Sequence, residues 1–118
     1  MLRIDNLNEN QVITITASGE LTKKDYVCVL PELEEMLEKH DRLRFYIKLE
    51  DFSGFEMEAL WEDIKFDYEY KNQYDKTAIV DDKKWEEWGT KFSSLFFDTE
   101  VKFFYKEQNP EAWKWVNS

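Results

Sequence analysis

The residues that most often carry out catalysis are scarce in this chain. It contains one histidine, His40, and one cysteine, Cys28. The histidine has no serine or cysteine partner at the spacing of a familiar nucleophilic site, and the chain has no glycine-rich phosphate loop. Cys28 stands between Val27 and Val29 in a predicted helix, where we expect an inert, buried thiol. The sequence therefore predicts that the protein is not an enzyme, although triads are recognised by geometry and not by order.

Three acids, Glu62, Asp63 and Asp67, could be mistaken for metal ligands. They lie on a helix predicted over residues 56–72. No histidine or cysteine joins them, and carboxylates at helical spacing are by themselves weak evidence for calcium or magnesium. A solvated helix face explains them better. We therefore predict neither a metal site nor any other cofactor.

Aromatic residues are the most distinctive feature of the sequence. Twelve of the twenty lie between residues 52 and 97, in a chain of net charge -10. Aromatic side chains bury large areas and dominate the energetics of cores and interfaces. Trp85, Trp88 and Phe92 recur at three- and four-residue steps, which is typical of a core stripe and also of the wall of a pocket. Both interpretations stay open, and the candidate ligand contacts are Phe52, Phe55, Trp61, Trp85, Trp88 and Phe92.

Composition limits the class of partner. The length predicts a single domain over residues 1–118. The excess of 26 acidic over 16 basic residues argues against nucleic acid and against tight binding to anionic lipid headgroups. An amphipathic helix with tryptophans can touch a membrane surface, so any membrane contact is expected to be peripheral. A single cysteine excludes an internal disulfide and suits the reducing cytoplasm. The first residues do not show a basic segment followed by an apolar run, so we expect no signal peptide.

Strands and helices alternate along the chain. The helix from residue 23 has Thr22 as its predicted N-cap, with Asp25 three residues on. Two further helices are predicted over residues 56–72 and 83–97, and a last one begins at Asn109 and Pro110. The predicted strands cover residues 3–7, 12–17, 43–49, 77–80 and 101–105. The order ββαβαβαβα predicts an α/β domain with a mixed, mainly parallel five-stranded sheet and four helices.

Two glycine-containing segments are predicted to interrupt the strands. Residues 18–20 are expected to end the second strand, and residues 50–54 are expected to form a loop after the third. In open α/β sheets, ligands bind beyond the carboxyl ends of strands. If Gly54 adopts a left-handed conformation, Phe52 and Phe55 can flank a cleft there. The alternative is a turn whose phenylalanines fill the core.

Several segments together resemble the SpoIIAA-like family of small bacterial proteins. They are ASGELT at residues 17–22 with Asp25 and Tyr26, LEDFSGF at 49–55, ALWED at 59–63 with Lys65 and Phe66, and AIVD at 78–81 with Trp85. That family is related in fold to STAS domains and more distantly to CRAL-TRIO lipid carriers. The resemblance covers essentially the whole chain. It implies a non-enzymatic domain that binds apolar ligands or associates with membranes, and it implies a dimer.

The resemblance does not extend to a phosphoserine switch. In the STAS antagonists of anti-sigma factors, a phosphorylatable serine opens the helix after the third strand, in an Asp-Ser-Ser-Gly-Leu run. The matching run here is EMEAL at residues 56–60, which lacks both serines. Ser53 stands earlier, in the predicted loop, and is not the equivalent residue.

These observations favour one function and leave an alternative. The favoured function is non-enzymatic binding of an apolar or amphipathic, lipid-like small molecule in an aromatic-lined pocket. The alternative is a STAS-like protein-protein interaction module or regulatory homodimer without the phosphoserine switch. An enzyme is the least favoured hypothesis, and a strongly perturbed carboxylate in a cleft would revive it.

Overall fold

A computed structural model describes residues 1–56, 69–81 and 100–118 of the protein, without the side chains of Asn6, Phe55 and Lys71. Its centre is a five-stranded sheet, and the strands lie in the sheet in the order in which they occur along the chain. The strands are β1 (Leu2–Leu7), β2 (Val12–Leu21), β3 (Leu43–Phe55), β4 (Tyr74–Asp81) and β5 (Glu100–Tyr105). Two α-helices, α1 (Lys23–Lys39) and α2 (Asn109–Asn117), and two short 3-10 helices, Lys71–Gln73 and Lys106–Gln108, complete the described part.

The sheet is mixed and mainly parallel, as predicted. β1 pairs with β2 in the antiparallel sense through a short hairpin. The three other pairs, β2 with β3, β3 with β4 and β4 with β5, are parallel. The first and last of the four predicted helices correspond to α1 and α2. The predicted helices at residues 56–72 and 83–97 lie mostly outside the described residues.

The predictions that residues 18–20 end the second strand and that residues 50–54 form a loop were both wrong, because β2 and β3 continue through these segments. β2 runs to Leu21 and β3 runs to Phe55, so that the segments predicted as a strand break and a loop pair with each other. The pairing is irregular: the register shifts on both sides of Gly19. A strand pair absorbs an extra residue as a β-bulge, and glycine supplies the left-handed backbone that such places require. Gly19 has φ 62° and Gly54 has φ 127°.

A capping box starts α1, as the sequence predicts. The Thr22 hydroxyl accepts a hydrogen bond from the Asp25 N–H at 3.3 Å, and the Asp25 carboxylate accepts one from the Thr22 N–H at 2.8 Å. Such a cap is worth about 1 kcal/mol. The helix runs through Pro31, which is exposed, and ends at its C-cap, His40. Its buried stripe is Tyr26, Val29, Leu33 and Leu37.

The prediction of a buried thiol was wrong. Cys28 is exposed, and so is its neighbour Val27, at 55% of its surface. Residues 29, 33 and 37 recur every four positions and face the sheet, so the helix turns position 28 by about 100° away from that face. An apolar neighbourhood in the sequence therefore did not indicate burial, because burial follows the helical stripe.

Apolar residues cover both sides of the sheet, since successive side chains of a strand point to opposite sides. The α1 side is defined by the cluster that contains Leu33 and Leu37 of α1. Its strand residues include Ile13, Ile15, Ala17, Phe45, Ile47, Leu49 and Ile79. The α2 side is defined by the cluster that contains Ala112 and Val116 of α2. Its strand residues are Val12, Tyr46, Ala78 and Val80, with Phe104 packed against them.

Polar contacts hold the end of α2 over the amino ends of the central strands. Arg44 at the start of β3 forms an ion pair with Asp75 at 3.0 Å, and it donates to the Val116 carbonyl at 3.3 Å. Lys76 donates to the Trp115 carbonyl at 3.4 Å. Cations stabilise the carboxyl end of a helix dipole. With its last turn at the amino ends of the strands, α2 has its first turn toward their carboxyl ends.

Candidate functional site

The carboxyl ends of the parallel strands meet at one edge of the sheet. In the register of the sheet, Leu49 of β3 lies beside Asp81 of β4, which lies beside Tyr105 of β5. Asp81 is 3% exposed. Ligands of open α/β sheets bind outside this edge, where the strands end and the connecting segments begin. It is therefore the expected place for a binding site in this fold.

A cleft of about 310 Å³ opens at this edge. The volume lies at the lower end of the range of about 300–1,000 Å³ that is usual for small-molecule pockets. Leu49 belongs to the α1-side cluster, so its neighbours Lys48 and Glu50 project to the α2 side. The cleft lies between the end of β3 and the start of α2. Its described lining residues are Lys48, Leu49, Glu50, Asp51, Lys106 and Asn109.

The lining is polar and its charges balance. Lys48 and Lys106 contribute two ammonium groups, and Glu50 and Asp51 contribute two carboxylates. None of the four takes part in any of the described ion pairs or side-chain hydrogen bonds. Charged side chains that are close together at a protein surface often pair, as Arg44 does at the other end of β3. The four charged groups of the cleft are therefore available to a ligand.

Asp51 is the bulged residue of β3. Glu50 lies opposite Ser18 and Phe52 lies opposite Gly19, so Asp51 has no partner of its own on β2. Its φ of 48° is left-handed, a conformation that aspartate tolerates better than most residues. One extra residue shifts the alternation of a strand, so that the residues after it point to the other side.

The bulge decides the position of Phe52. In a regular strand Phe52 would project to the same side as Glu50, two residues before it. Because Asp51 is inserted, Phe52 packs against the α1-side cluster, and it is half-buried. The end of β3 thus presents charged groups on the α2 side and an aromatic ring on the α1 side.

Of the six aromatic residues predicted as ligand contacts, Phe52 has its side chain among the described residues. The backbone of Phe55 ends β3 opposite Leu21. The other four, Trp61, Trp85, Trp88 and Phe92, lie outside the described residues, and their role stays a prediction.

The cleft was not predicted from the sequence. Its signal was the charged run Lys48, Glu50 and Asp51 at the end of a buried strand, where the local pattern indicates a loop. Lys106 and Asn109 are more than 50 positions away, and no local pattern links them to that run.

The described residues contain no group of three or more histidine, cysteine, aspartate or glutamate side chains that could hold a metal ion. The acids Glu62, Asp63 and Asp67 lie outside this part of the chain. Within the same ranges, no helix combines the length and the apolar character that crossing a bilayer requires.

Comparison with known proteins identifies relatives by sequence and by fold. The family model described as SpoIIAA-like matches residues 12–117. The fold is similar to the crystal structure of an uncharacterised protein from the DUF3478 family with a SpoIIAA-like fold, from Shewanella loihica PV-4. The two chains are 26% identical with a TM-score of 0.79, and the similarity covers 98% of this chain and 92% of the other. The comparison with curated proteins found no match.

Fold and sequence therefore agree on the kind of domain. A mixed five-stranded sheet with α1 and α2 on its two sides corresponds to the fold of the Shewanella protein. Domains with this STAS-related fold are usually non-enzymatic. The match over nearly the whole length shows that the chain belongs to the SpoIIAA-like family.

Proposed function

We propose that the protein is a non-enzymatic, cytoplasmic single-domain protein that binds an apolar or amphipathic, lipid-like molecule. The ligand lies on the α1 side of the sheet, near the carboxyl ends of the strands. Its contact with a membrane, if it delivers or collects the ligand there, is peripheral. The proposed contact residues are Phe52, Phe55, Trp61, Trp85, Trp88 and Phe92.

The observation that carries this proposal is the position of Phe52. Its ring packs on an apolar cluster, remains partly accessible and stands at the edge where ligands of such sheets bind. The bulge at Asp51 is what turns it to that side. A position where an irregular backbone places a partly exposed aromatic ring at this edge is well suited to a ligand contact.

Burial supplies the binding energy in this proposal. Removing apolar surface from water contributes about 25 cal/mol per Å². A ligand chain that buries about 300 Å² of apolar area, its own and the protein's together, would gain roughly 7 kcal/mol before the costs of association and ordering. Several aromatic contacts are therefore needed, which agrees with the concentration of twelve aromatics in residues 52–97.

Native mass spectrometry of freshly purified protein is the first test. We expect an adduct that is lost on denaturation and that proves to be a fatty or otherwise amphipathic molecule. Fluorescence titration with cis-parinaric acid then measures affinity in delipidated protein. Trp61→Ala and Trp88→Ala should each weaken binding, because each removes an aromatic wall. Trp113→Ala is the matched control, because Trp113 is 42% exposed on α2 and packs edge-on against Tyr46 of the α2 side.

The proposal fails if Trp61→Ala and Trp88→Ala are both folded and both bind cis-parinaric acid as tightly as the unchanged protein. It also fails if the purified protein carries no adduct and binds no cis-parinaric acid. Circular dichroism of each variant establishes that it is folded.

An exposed apolar strip on α1 favours a second candidate, a protein-protein interaction module or regulatory homodimer. Val27, Cys28 and Pro31 all face solvent, and Val27 is 55% exposed. Contiguous apolar patches on a surface are typical of protein contact sites. In gel filtration, a dimer held by this strip should persist at high salt, whereas a charge-driven one should dissociate. Val27→Lys should give a monomer, and Glu35→Lys on the same helix is the control.

A further inference from the structure

The cleft on the α2 side is a second place where this protein can hold a ligand, and its chemistry differs from that of the aromatic pocket. Its one apolar lining residue among those described is Leu49, and the other five are polar or charged. Phe52 lies on the opposite side of the sheet. The cleft therefore needs an interpretation that does not depend on the lipid-like ligand.

The signs of the charges restrict what fits. A simple anion in the cleft would be attracted by Lys48 and Lys106 and repelled by Glu50 and Asp51. A simple cation would be attracted by Glu50 and Asp51 and repelled by Lys48 and Lys106. A molecule that carries one positive and one negative group satisfies both sets, because each of its charges lies near groups of opposite sign.

The spacing of the charged groups also favours a ligand that carries one positive and one negative group. Lys48 and Glu50 are two residues apart on the same side of β3, so their attachment points are about 7 Å apart along the strand. They form no ion pair with each other. A ligand whose charges are separated by a few ångströms can lie between them and contact both. A volume of about 310 Å³ admits a molecule of that size together with some water.

The start of α2 favours one orientation of a ligand in the cleft. Asn109 is the first residue of α2, and Lys106 lies one turn before it. The amino end of a helix carries a partial positive charge, which adds to that of the lysine. The anionic group of a ligand is therefore favoured at the end of the cleft next to the first turn of α2. The cationic group is favoured beside the carboxylates of Glu50 and Asp51.

We propose that the cleft between the end of β3 and the start of α2 binds a small zwitterion of the size of an amino acid. Lys48 and Lys106 bind its carboxylate, and Glu50 and Asp51 bind its ammonium group. No covalent step is involved. The site works independently of the aromatic pocket, so either can fail without the other.

The test is an NMR titration of ¹⁵N-labelled full-length protein with each of the twenty common amino acids at millimolar concentration. We expect at least one of them to give saturable shifts centred on residues 48–51 and 106–109. Its N-acetyl derivative and its methyl ester, which each lack one charge, should bind at least about tenfold more weakly, because each loses a charged hydrogen bond.

Two variants and two matched controls locate the site. Lys48→Met and Glu50→Gln should each weaken binding about tenfold or more. Lys39→Met and Glu35→Gln remove an exposed ion pair of α1, whose charges are 3.1 Å apart, and should leave the affinity unchanged. The proposal is overturned if no amino acid gives saturable shifts in these segments. It is equally overturned if the derivatives bind as well as the parent, because the cleft would then recognise a single charge.

Discussion

The hydroxyl of Thr77 is a buried polar group without a partner in the described part of the chain, and its removal should stabilise the protein. Thr77 is 0% exposed, and its Oγ1 has no hydrogen-bond partner among the described residues. In the sheet it lies between Phe45 of β3 and Val101 of β5, and Ile79 follows it on the same side. Thr77→Val replaces the hydroxyl by a methyl group of almost the same shape and keeps the β-branched side chain that suits a strand.

Two contributions of the same sign determine the magnitude. A hydroxyl that is buried without a hydrogen bond costs about 1–3 kcal/mol relative to water. A further buried methyl group contributes about 0.8 kcal/mol. After small packing adjustments, we expect the free energy of unfolding to rise by about 2–3 kcal/mol. For a domain of this length, each 1 kcal/mol raises Tm by about 4 °C.

Urea unfolding, followed by tryptophan fluorescence and circular dichroism, measures this change. The midpoint should move to higher urea with an unchanged slope, because the same surface is exposed on unfolding. Thr14→Val is the control. Thr14 is half-buried, and its hydroxyl is not a buried group without a hydrogen-bond partner, so the change should alter the free energy of unfolding by no more than about 0.5 kcal/mol. A Thr77→Val variant that is neutral or less stable would refute the reasoning, because the hydroxyl would then be satisfied in solution.

Three further predictions concern other contacts of the fold. Arg44→Met should lower the free energy of unfolding by roughly 1–2 kcal/mol in urea, and its effect should not add to that of Asp75→Asn, because the two residues form one ion pair. Burial, the hydrogen bond to Glu34 and nearby carboxylates raise the pKa of Tyr70 to about 12. The stability that this shift contributes is therefore complete below pH 10 and is lost as the pH rises to about 12. In an ultraviolet titration, Glu34→Gln should move this pKa back toward 10, and an unchanged pKa would contradict the assignment. Gly19→Ala should cost about 1 kcal/mol through its φ of 62° alone, since an added Cβ meets nothing within 4 Å. Gly19→Asn should cost less, and equal losses in thermal unfolding would point to another cause.

Local patterns in the sequence determined the strands and the two helices of the described part of this fold, and their order. Thr22 and Asp25 form the capping box that their three-residue spacing predicts. The four-residue recurrence of Val29, Leu33 and Leu37 determined which side of α1 is buried. Five apolar runs determined five strands, and their alternation with helical patterns determined a mainly parallel sheet. Each of these features depends on residues within a few positions of one another, so the sequence expresses it directly.

The tertiary structure decided where strands end and which side their last residues face. Residues 18–20 and 50–54 look like breaks when each is considered alone, yet they pair with each other across some 30 positions. That pairing leaves Asp51 without an opposite residue and thereby moves Phe52 to the α1 side. A bulge is a property of two paired strands, so it cannot be derived from the pattern of either one.

The candidate site depends on the same kind of long-range information. Lys48, Glu50 and Asp51 are a charged run in the sequence, and they become part of a cleft because the last strand brings Lys106 and Asn109 beside them. Periodicity describes one element at a time, whereas a cleft is formed by the ends of several elements. The sequence by itself determined the strands and helices that carry these residues, and the packing of the sheet decided that they meet.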